Sequence, residues 1–128
     1  GGSTWPGRGE PQTQNEVLQM FQSMRQEIGQ MSDKINELDN ELTEHELVLS
    51  ALEPMDKDRK CFRQIGGVLV ERTVAEVMPA VKNNKEQLAQ VIAKLEEQRE
   101  LKNTELSAFQ TKYKIRVKGE GEEEPESK

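Results

Sequence analysis

The chain is poor in the residues that fill a globular core. Apolar residues make up 33% of its 128 residues and aromatic residues 4%, against about 45–50% apolar in ordinary soluble domains. Burial of apolar surface must offset a large loss of conformational entropy, so this composition does not support a thick core. Two classes remain: a disordered chain, or an extended helical protein that needs only a narrow apolar stripe.

Further absences exclude several partners and compartments. The net charge of −6 argues against a nucleic-acid partner, whose phosphate backbone requires clustered Lys and Arg. No run approaches the roughly 18–20 apolar residues of a membrane span, and no apolar segment marks a signal peptide. The single cysteine, Cys61, forbids an internal disulfide and fits a reducing compartment. We therefore expect a cytoplasmic protein without a membrane partner. Whether part of the protein also resides in the nucleus is left open.

The sequence divides into three parts. Residues 1–16 are rich in Gly, Pro, Ser and Thr and lack an apolar period, so they are predicted to be a disordered leader. Residues 17–118 form the predicted folded part, and the acidic residues 119–128 a self-repelling, disordered tail. Long helices are predicted over 17–53 and from 80 to about residue 113.

Two apolar seams predict a coiled coil. Both step alternately by four and three residues, which is typical of coiled coils and rare on surface helices. The first seam is Val17, Phe21, Met24, Ile28, Met31, Ile35, Leu38, Leu42, His45, Leu49 and Leu52, and the second is Leu88, Ile92, Leu95, Arg99, Lys102, Leu106, Phe109 and Tyr113. His45, the only histidine, is interpreted as a polar seam residue that fixes register rather than as a metal ligand.

The charges of the two helical segments favour pairing within one chain. Residues 17–53 carry 2 basic and 8 acidic residues, a net −6, whereas residues 80–118 carry 9 basic and 5 acidic residues, a net +4. Opposite charges attract, so the segments are predicted to pair antiparallel. Thr73 is predicted to cap a short turn over residues 74–78, and Pro79 to open the long second helix.

A β-hairpin is predicted between the helices. Gly66 and Gly67 separate two β-prone runs, and a type I′ turn needs positive φ at both central positions. That turn places Ile65 opposite Val68, Arg63 opposite Val70 and Cys61 opposite Arg72. A lone hairpin is marginal in water and leaves both edges unpaired, so we expect strands from other chains to complete the sheet. The predicted assembly residues are Cys61, Phe62, Ile65, Gly66, Gly67, Val68, Leu69 and Val70.

Antiparallel pairing would bring the outer ends of both helices together. The apolar residues gathered at this end are predicted to bind exposed apolar surface on another protein: Val17, Leu18, Met20, Phe21, Met24, Phe109, Tyr113, Ile115 and Val117. Four of them, Leu18, Met20, Ile115 and Val117, lie off the seam and have no obvious internal partner. For Phe21, Met24 and Phe109 the alternative that they simply close the coiled coil is equally open. A basic collar of Lys112, Lys114, Arg116 and Lys118 is expected to attract acidic chains.

No pattern in the chain predicts catalysis or a cofactor. It contains no phosphate-binding glycine motif, and one His and one Cys some 16 residues apart supply neither a catalytic pair nor a metal site. We predict no catalytic, cofactor-binding or metal-binding residue. A structural coiled-coil scaffold or tether that binds a folded partner remains possible, although a simple scaffold would not interrupt its coiled coil with a hairpin.

The run RKCFRQIGGVLVERTVAEVMP over residues 59–79, together with NNKE at 83–86, ELTEH at 41–45 and YKIR at 113–116, resembles the β-type subunits of prefoldin over about residues 15–117. The resemblance implies a mainly α fold: a long antiparallel two-helix coiled coil joined by a β-hairpin that completes an intersubunit β-barrel. It implies a hetero-hexamer of two α-type and four β-type subunits, whose coiled-coil tips hold non-native actin, tubulin and other chains. It further implies transfer of these chains to the cytosolic group II chaperonin without ATP.

Overall fold

The computed structural model describes residues 9–117 and contains two long helices with one hairpin between them. Helix α1 spans Gln14–Leu52, strand β1 Lys60–Ile65, strand β2 Val68–Thr73 and helix α2 Val74–Lys112. The predicted mainly α fold, helix, hairpin, helix, is confirmed. Residues 1–8 of the predicted leader, Lys118 and the predicted acidic tail lie outside the described residues.

Helix α1 begins at Gln14, three residues before the predicted boundary at residue 17, which is therefore wrong. The cause is local capping chemistry. The Glu16 amide donates to Thr13 Oγ1 at 3.1 Å, and the Gln12 amide donates to Glu16 Oε1 at 2.6 Å. These bonds satisfy donors that a helix start leaves unpaired, and a search for apolar periodicity does not detect them.

The loop after α1 caps the start of α2. Pro54 follows the last turn of α1, and the Met55 amide closes a turn on the Leu52 carbonyl at 3.0 Å. The chain then returns, so that the Val74 amide donates to the Arg59 carbonyl at 2.9 Å and the Ala75 amide to the Lys57 carbonyl at 3.0 Å. The first two unpaired donors of α2 thus have backbone partners.

A capping box completes the start of α2. The Glu76 amide donates to Thr73 Oγ1 at 3.3 Å, and the Thr73 amide donates to Glu76 Oε1 at 2.9 Å. That second bond, from the Thr73 backbone, holds the pKa of the Glu76 carboxyl below its ordinary value.

The predicted break at Pro79 is wrong, because α2 runs unbroken from Val74 through this proline. A proline inside a helix removes one hydrogen bond and costs about 3 kcal/mol. Here the buried residues Val77 and Val81 lie on either side of it, and their packing holds the helical path. At this position tertiary packing overrides the low helix propensity of proline.

The described chain divides into two compact units. The hairpin unit comprises residues 33–97, and the described part of the terminal unit comprises residues 9–32 and 98–117. In the hairpin unit, Leu52 packs with Val74, Val77 and Val81, and Ile35 and Leu38 pack with Ile92. Later residues of α1 therefore meet earlier residues of α2, as the predicted antiparallel pairing requires. Lys85 Nζ lies 3.7 Å from Glu46 Oε2 in the same unit.

In the terminal unit the seam becomes partly polar. Arg99 Nη1 donates to Ser32 Oγ at 3.0 Å, and Lys102 Nζ lies 3.0 Å from Glu27 Oε1. Arg99 and Lys102 are half-buried, so their stems cover the seam while their charged ends reach α1. Every residue of both predicted seams is buried or half-buried.

Candidate interaction surfaces

The hairpin has the predicted turn and register. Gly66 and Gly67 have φ of 56° and 81°, as a type I′ turn requires. Ile65 pairs with Val68, and the ladder ends with Lys60 opposite Thr73. In the intervening pairs Arg63 faces Val70, Cys61 faces Arg72, Gln64 faces Leu69 and Phe62 faces Glu71.

The two faces of the hairpin differ. Residues directly opposite each other share a face, so Phe62 and Leu69 lie on one face, where they are 66% and 67% exposed. The other face carries Cys61 and Val70, which are half-buried. Cys61 packs against the core around Leu52 and Val74. Its thiol therefore supports the hairpin from within its own chain, whereas it was predicted at the assembly surface.

The remaining predicted assembly residues are exposed around the turn. Ile65 and Val68 are 45% and 62% exposed. The sheet has only two strands among the described residues, so each strand has one edge without a neighbouring strand. Exposed apolar side chains beside unpaired edges are typical of strands that add to another sheet.

The residues predicted to bind other chains lie in the terminal unit at different depths. Met20, Phe21 and Met24 are buried, Leu18 is exposed, and Val17, Phe109, Tyr113, Ile115 and Val117 are half-buried. The expectation that Met20, Ile115 and Val117 lack internal cover is wrong. The terminal unit contains two further segments, residues 9–13 and 113–117, in which Pro11, Ile115 and Val117 are themselves half-buried. A prediction based on two helices alone does not include these segments.

Helix α2 ends in a Schellman motif built around a lysine. Lys114 has φ of 54°; the Ile115 amide donates to the Gln110 carbonyl at 3.0 Å and the Lys114 amide to the Thr111 carbonyl at 3.3 Å. These are the two bonds of the motif. From Lys114 onward exposed and half-buried residues alternate: Lys114 and Arg116 are exposed, whereas Ile115 and Val117 are half-buried.

Three residues of the predicted collar, Lys112, Lys114 and Arg116, lie in or beside this motif. Lys112 Nζ donates to Glu10 Oε2 at 3.2 Å, and this hydrogen bond raises the pKa of the Lys112 ammonium. A groove of about 370 Å³ lies next to it. Its lining is Ser107, Gln110, Thr111, Lys114, Ile115 and Arg116.

A second groove lies on the helices of the hairpin unit. It has a volume of about 360 Å³ and is lined by Leu38, Glu41, His45, Asn84, Gln87, Leu88 and Val91. His45 Nδ1 is 2.7 Å from the Glu41 carbonyl; since a carbonyl only accepts, Nδ1 carries the proton. The bond lies within one helix, so the register role of His45 stays a prediction.

Within residues 9–117, no three His, Cys, Asp or Glu side chains are grouped so as to hold a metal ion. In the same range, no helix combines the length and apolar character needed to cross a membrane.

Comparisons with known proteins agree with this geometry. A family model described as prefoldin subunit matches residues 15–120. The protein named prefoldin subunit 2 of Arabidopsis thaliana is 48% identical over 111 residues, which are 87% of this chain and 75% of that protein. The Homo sapiens protein of the same name is 48% identical over 107 residues, covering 84% and 70% of the two chains.

Among solved structures, the crystal structure of the prefoldin beta subunit from Thermococcus strain KS-1 matches with a TM-score of 0.70. The match covers 77% of this chain and 86% of that chain. At 21% sequence identity, it establishes a shared fold.

Proposed function

The chain belongs to the prefoldin subunit family, a family of chaperone subunits that form hetero-oligomers, and from that premise we propose that it is one subunit of an ATP-independent holdase. In this proposal the chain joins α- and β-type subunits in a hetero-hexamer through its hairpin. The assembled complex captures non-native chains such as actin and tubulin and passes them to the group II chaperonin in the cytoplasm.

The observation that carries the proposal is the exposed apolar hairpin. Phe62, Val68 and Leu69 are each more than 60% exposed, and burying one such side chain contributes about 1.5–3 kcal/mol. A two-stranded sheet with these residues in water is unfavourable, and strands from neighbouring subunits would cover both its apolar face and its open edges.

Aspartate substitution tests assembly through the hairpin. In the variant Phe62→Asp/Leu69→Asp both changed side chains are exposed in the isolated chain, so its own fold should tolerate them. Incorporation into the hetero-oligomer should fall at least about tenfold, because an unpaired charge would be buried at the interface. Native mass spectrometry of the chain mixed with its partner subunits measures this yield.

Leu47→Asp is the matched control, since Leu47 is 65% exposed but lies on α1. It should incorporate at the normal yield. Normal incorporation of the Phe62→Asp/Leu69→Asp variant would refute assembly through the hairpin.

Client capture is proposed at the terminal unit. Leu18 is 45% exposed, and the half-buried Val17, Ile115 and Val117 present further apolar surface, supported by the buried Met20, Phe21 and Met24. The rings of Phe109 and Tyr113 pack against each other in a tilted arrangement, with centroids 4.7 Å apart. Each contact with a client would be weak, and several subunits acting together would supply avidity.

Site-specific photocross-linking tests this placement. A benzophenone amino acid at position 18, in the assembled complex, should cross-link to non-native actin but not to native actin. The control carries the same probe at position 101, because Leu101 is 62% exposed and belongs to the same unit. Equal cross-linking from both positions would place the client elsewhere.

Transfer without nucleotide is supported by the sequence, which offers no phosphate-binding glycine motif. The complex should prevent aggregation of denatured actin without ATP, and folded actin should appear only after chaperonin and ATP are added. An ATP requirement at the capture step would contradict the proposal. A cytoplasmic location is part of the same proposal, and the single cysteine fits a reducing compartment.

A further inference from the structure

The groove at the end of α2 is suited to carboxylates. Its lining includes the basic residues Lys114 and Arg116, the hydroxyl-bearing residues Ser107 and Thr111, and the apolar Ile115. Both cationic side chains belong to exposed residues. Such a surface offers hydrogen-bond donors and a positive potential to an acidic, extended peptide.

A complementary segment follows directly in the sequence. Residues 119–128 read GEGEEEPESK and contain five glutamates and one lysine. Glu120 is only four residues beyond Arg116, so a short loop suffices to return the segment to the groove, at little entropic cost. Gly119 and Gly121 favour such a reversal, since glycine adopts positive φ readily. Attachment this short corresponds to an effective concentration in the millimolar range.

The basic surface already holds a carboxylate from the same chain. Residues 9–12 have no regular structure, yet Glu10 reaches Lys112 with a contact of 3.2 Å. The hydrogen bond from Lys112 also raises the pKa of its ammonium. An acidic side chain on a non-helical segment is therefore accepted at this end of α2.

We propose that the acidic residues 119–128 occupy the basic groove of their own chain and act as an intramolecular competitor for acidic peptide segments. The contact itself does not depend on the proposed chaperone function. Its consequence does: an acidic segment of a non-native client would have to displace residues 119–128 before it could use the groove.

The test uses the full chain assembled with its partner subunits. The probe is a fluorescent synthetic peptide with the sequence of residues 119–128, and its dissociation constant is measured by anisotropy. In the tail variant, Glu122→Gln, Glu123→Gln and Glu124→Gln, the groove is no longer occupied from within. The probe should bind this variant about two- to tenfold more tightly than it binds the unmodified chain, since apparent affinity scales with the fraction of open groove. The difference should shrink as salt is raised.

A groove variant completes a double-mutant cycle. Lys114→Gln/Arg116→Gln should weaken probe binding and abolish the effect of the tail variant, and Lys114→Gln alone should do so in part. Native mass spectrometry checks that each variant still assembles.

Equal probe affinity for the unmodified chain and the tail variant would overturn the proposal, and so would a tail effect that persists in the groove variant. Absence of probe binding to every form would overturn it as well. None of these results would alter cross-linking of non-native actin to position 18, so failure of this contact is distinguishable from failure of the proposed function.

Discussion

The same chemical change, glycine to alanine, should have opposite effects at two places in this chain. At Gly66 and Gly67 the backbone has φ of 56° and 81°, whereas Gly29 lies inside α1. A Cβ added at any of the three meets no atom within 4 Å apart from the adjacent backbone. Contact with more distant parts of the chain therefore contributes nothing, and the local backbone conformation decides the sign of the change in stability.

The expected changes in stability follow from the backbone conformation at each glycine. A residue other than glycine in the left-handed region costs about 1–2 kcal/mol, and the lower entropy of the unfolded chain returns about 0.4–1 kcal/mol. Alanine at Gly66 should thus destabilise the hairpin by about 1 kcal/mol. In the helix, alanine at Gly29 should stabilise by about 1 kcal/mol. The two substitutions differ by about 2 kcal/mol, or roughly thirtyfold in an equilibrium constant.

Competition for limiting partner subunits measures the hairpin effect. Because an isolated hairpin is marginal, a loss of about 1 kcal/mol should reduce the share of Gly66→Ala in assembled complexes by up to about fivefold. Isotope-labelled wild-type chain serves as the competitor, and native mass spectrometry reads the ratio. Gly66→Asn should recover most of the loss, since asparagine tolerates this conformation.

Hydrogen exchange along α1 reports the helical effect, where Gly29→Ala should slow exchange. If Gly66→Ala competed as well as wild type, or if both alanine variants changed stability in the same direction, backbone conformation would not control this turn.

Three further predictions concern the helix ends and the core. Glu76→Gln should remove part of the pH dependence of unfolding. The lowered pKa of Glu76 implies a contribution to stability that is present above the unfolded pKa near 4.5 and is lost as pH falls through the lower folded pKa. The free energies of unfolding of wild type and variant should therefore converge in acid. Lys114→Gly should exceed Lys114→Ala in stability by about 1 kcal/mol, seen as slower exchange of the Ile115 amide; both variants lose the same charge, and equal exchange would argue against strain at this position. Val74→Ala should cost about 2 kcal/mol in denaturant unfolding, because Val74 is 0% exposed; an effect under about 0.5 kcal/mol, as for surface substitutions, would mean that the core collapses around the gap.

Periodicity and turn chemistry predicted the parts of the fold that depend on them. Both seams are covered at each position, because a 3.5-residue period places every member on one helix face. The register of the hairpin followed from Gly66 and Gly67, since a two-residue turn leaves only one pairing.

The missed features depend on contacts between parts of the chain that no local pattern contains. Pro79 lies within α2 because buried valines on either side hold the helix. Met20 is buried in a unit that includes segments without helical periodicity. The Schellman motif at Lys114 was not predicted, because its usual mark is a glycine. The exposed residues of the hairpin were predicted more reliably than those of the terminal unit, since two strands offer few ways to cover a side chain.

The hydrogen bond between the Val74 amide and the Arg59 carbonyl bears on the order in which the chain folds. It joins residues only 15 positions apart and encloses the whole hairpin, so every contact needed to form it is local. Hairpins of this size close in about 1–10 μs, far faster than residues are added at about 5–20 per second during synthesis. An isolated hairpin is only marginally stable, so we expect this hairpin to form transiently and repeatedly while most of α2 is still unmade. The nascent chain would then expose Phe62 and Leu69 before its helices can pair. This exposure favours assembly with partner subunits during synthesis over accumulation of unassembled chain.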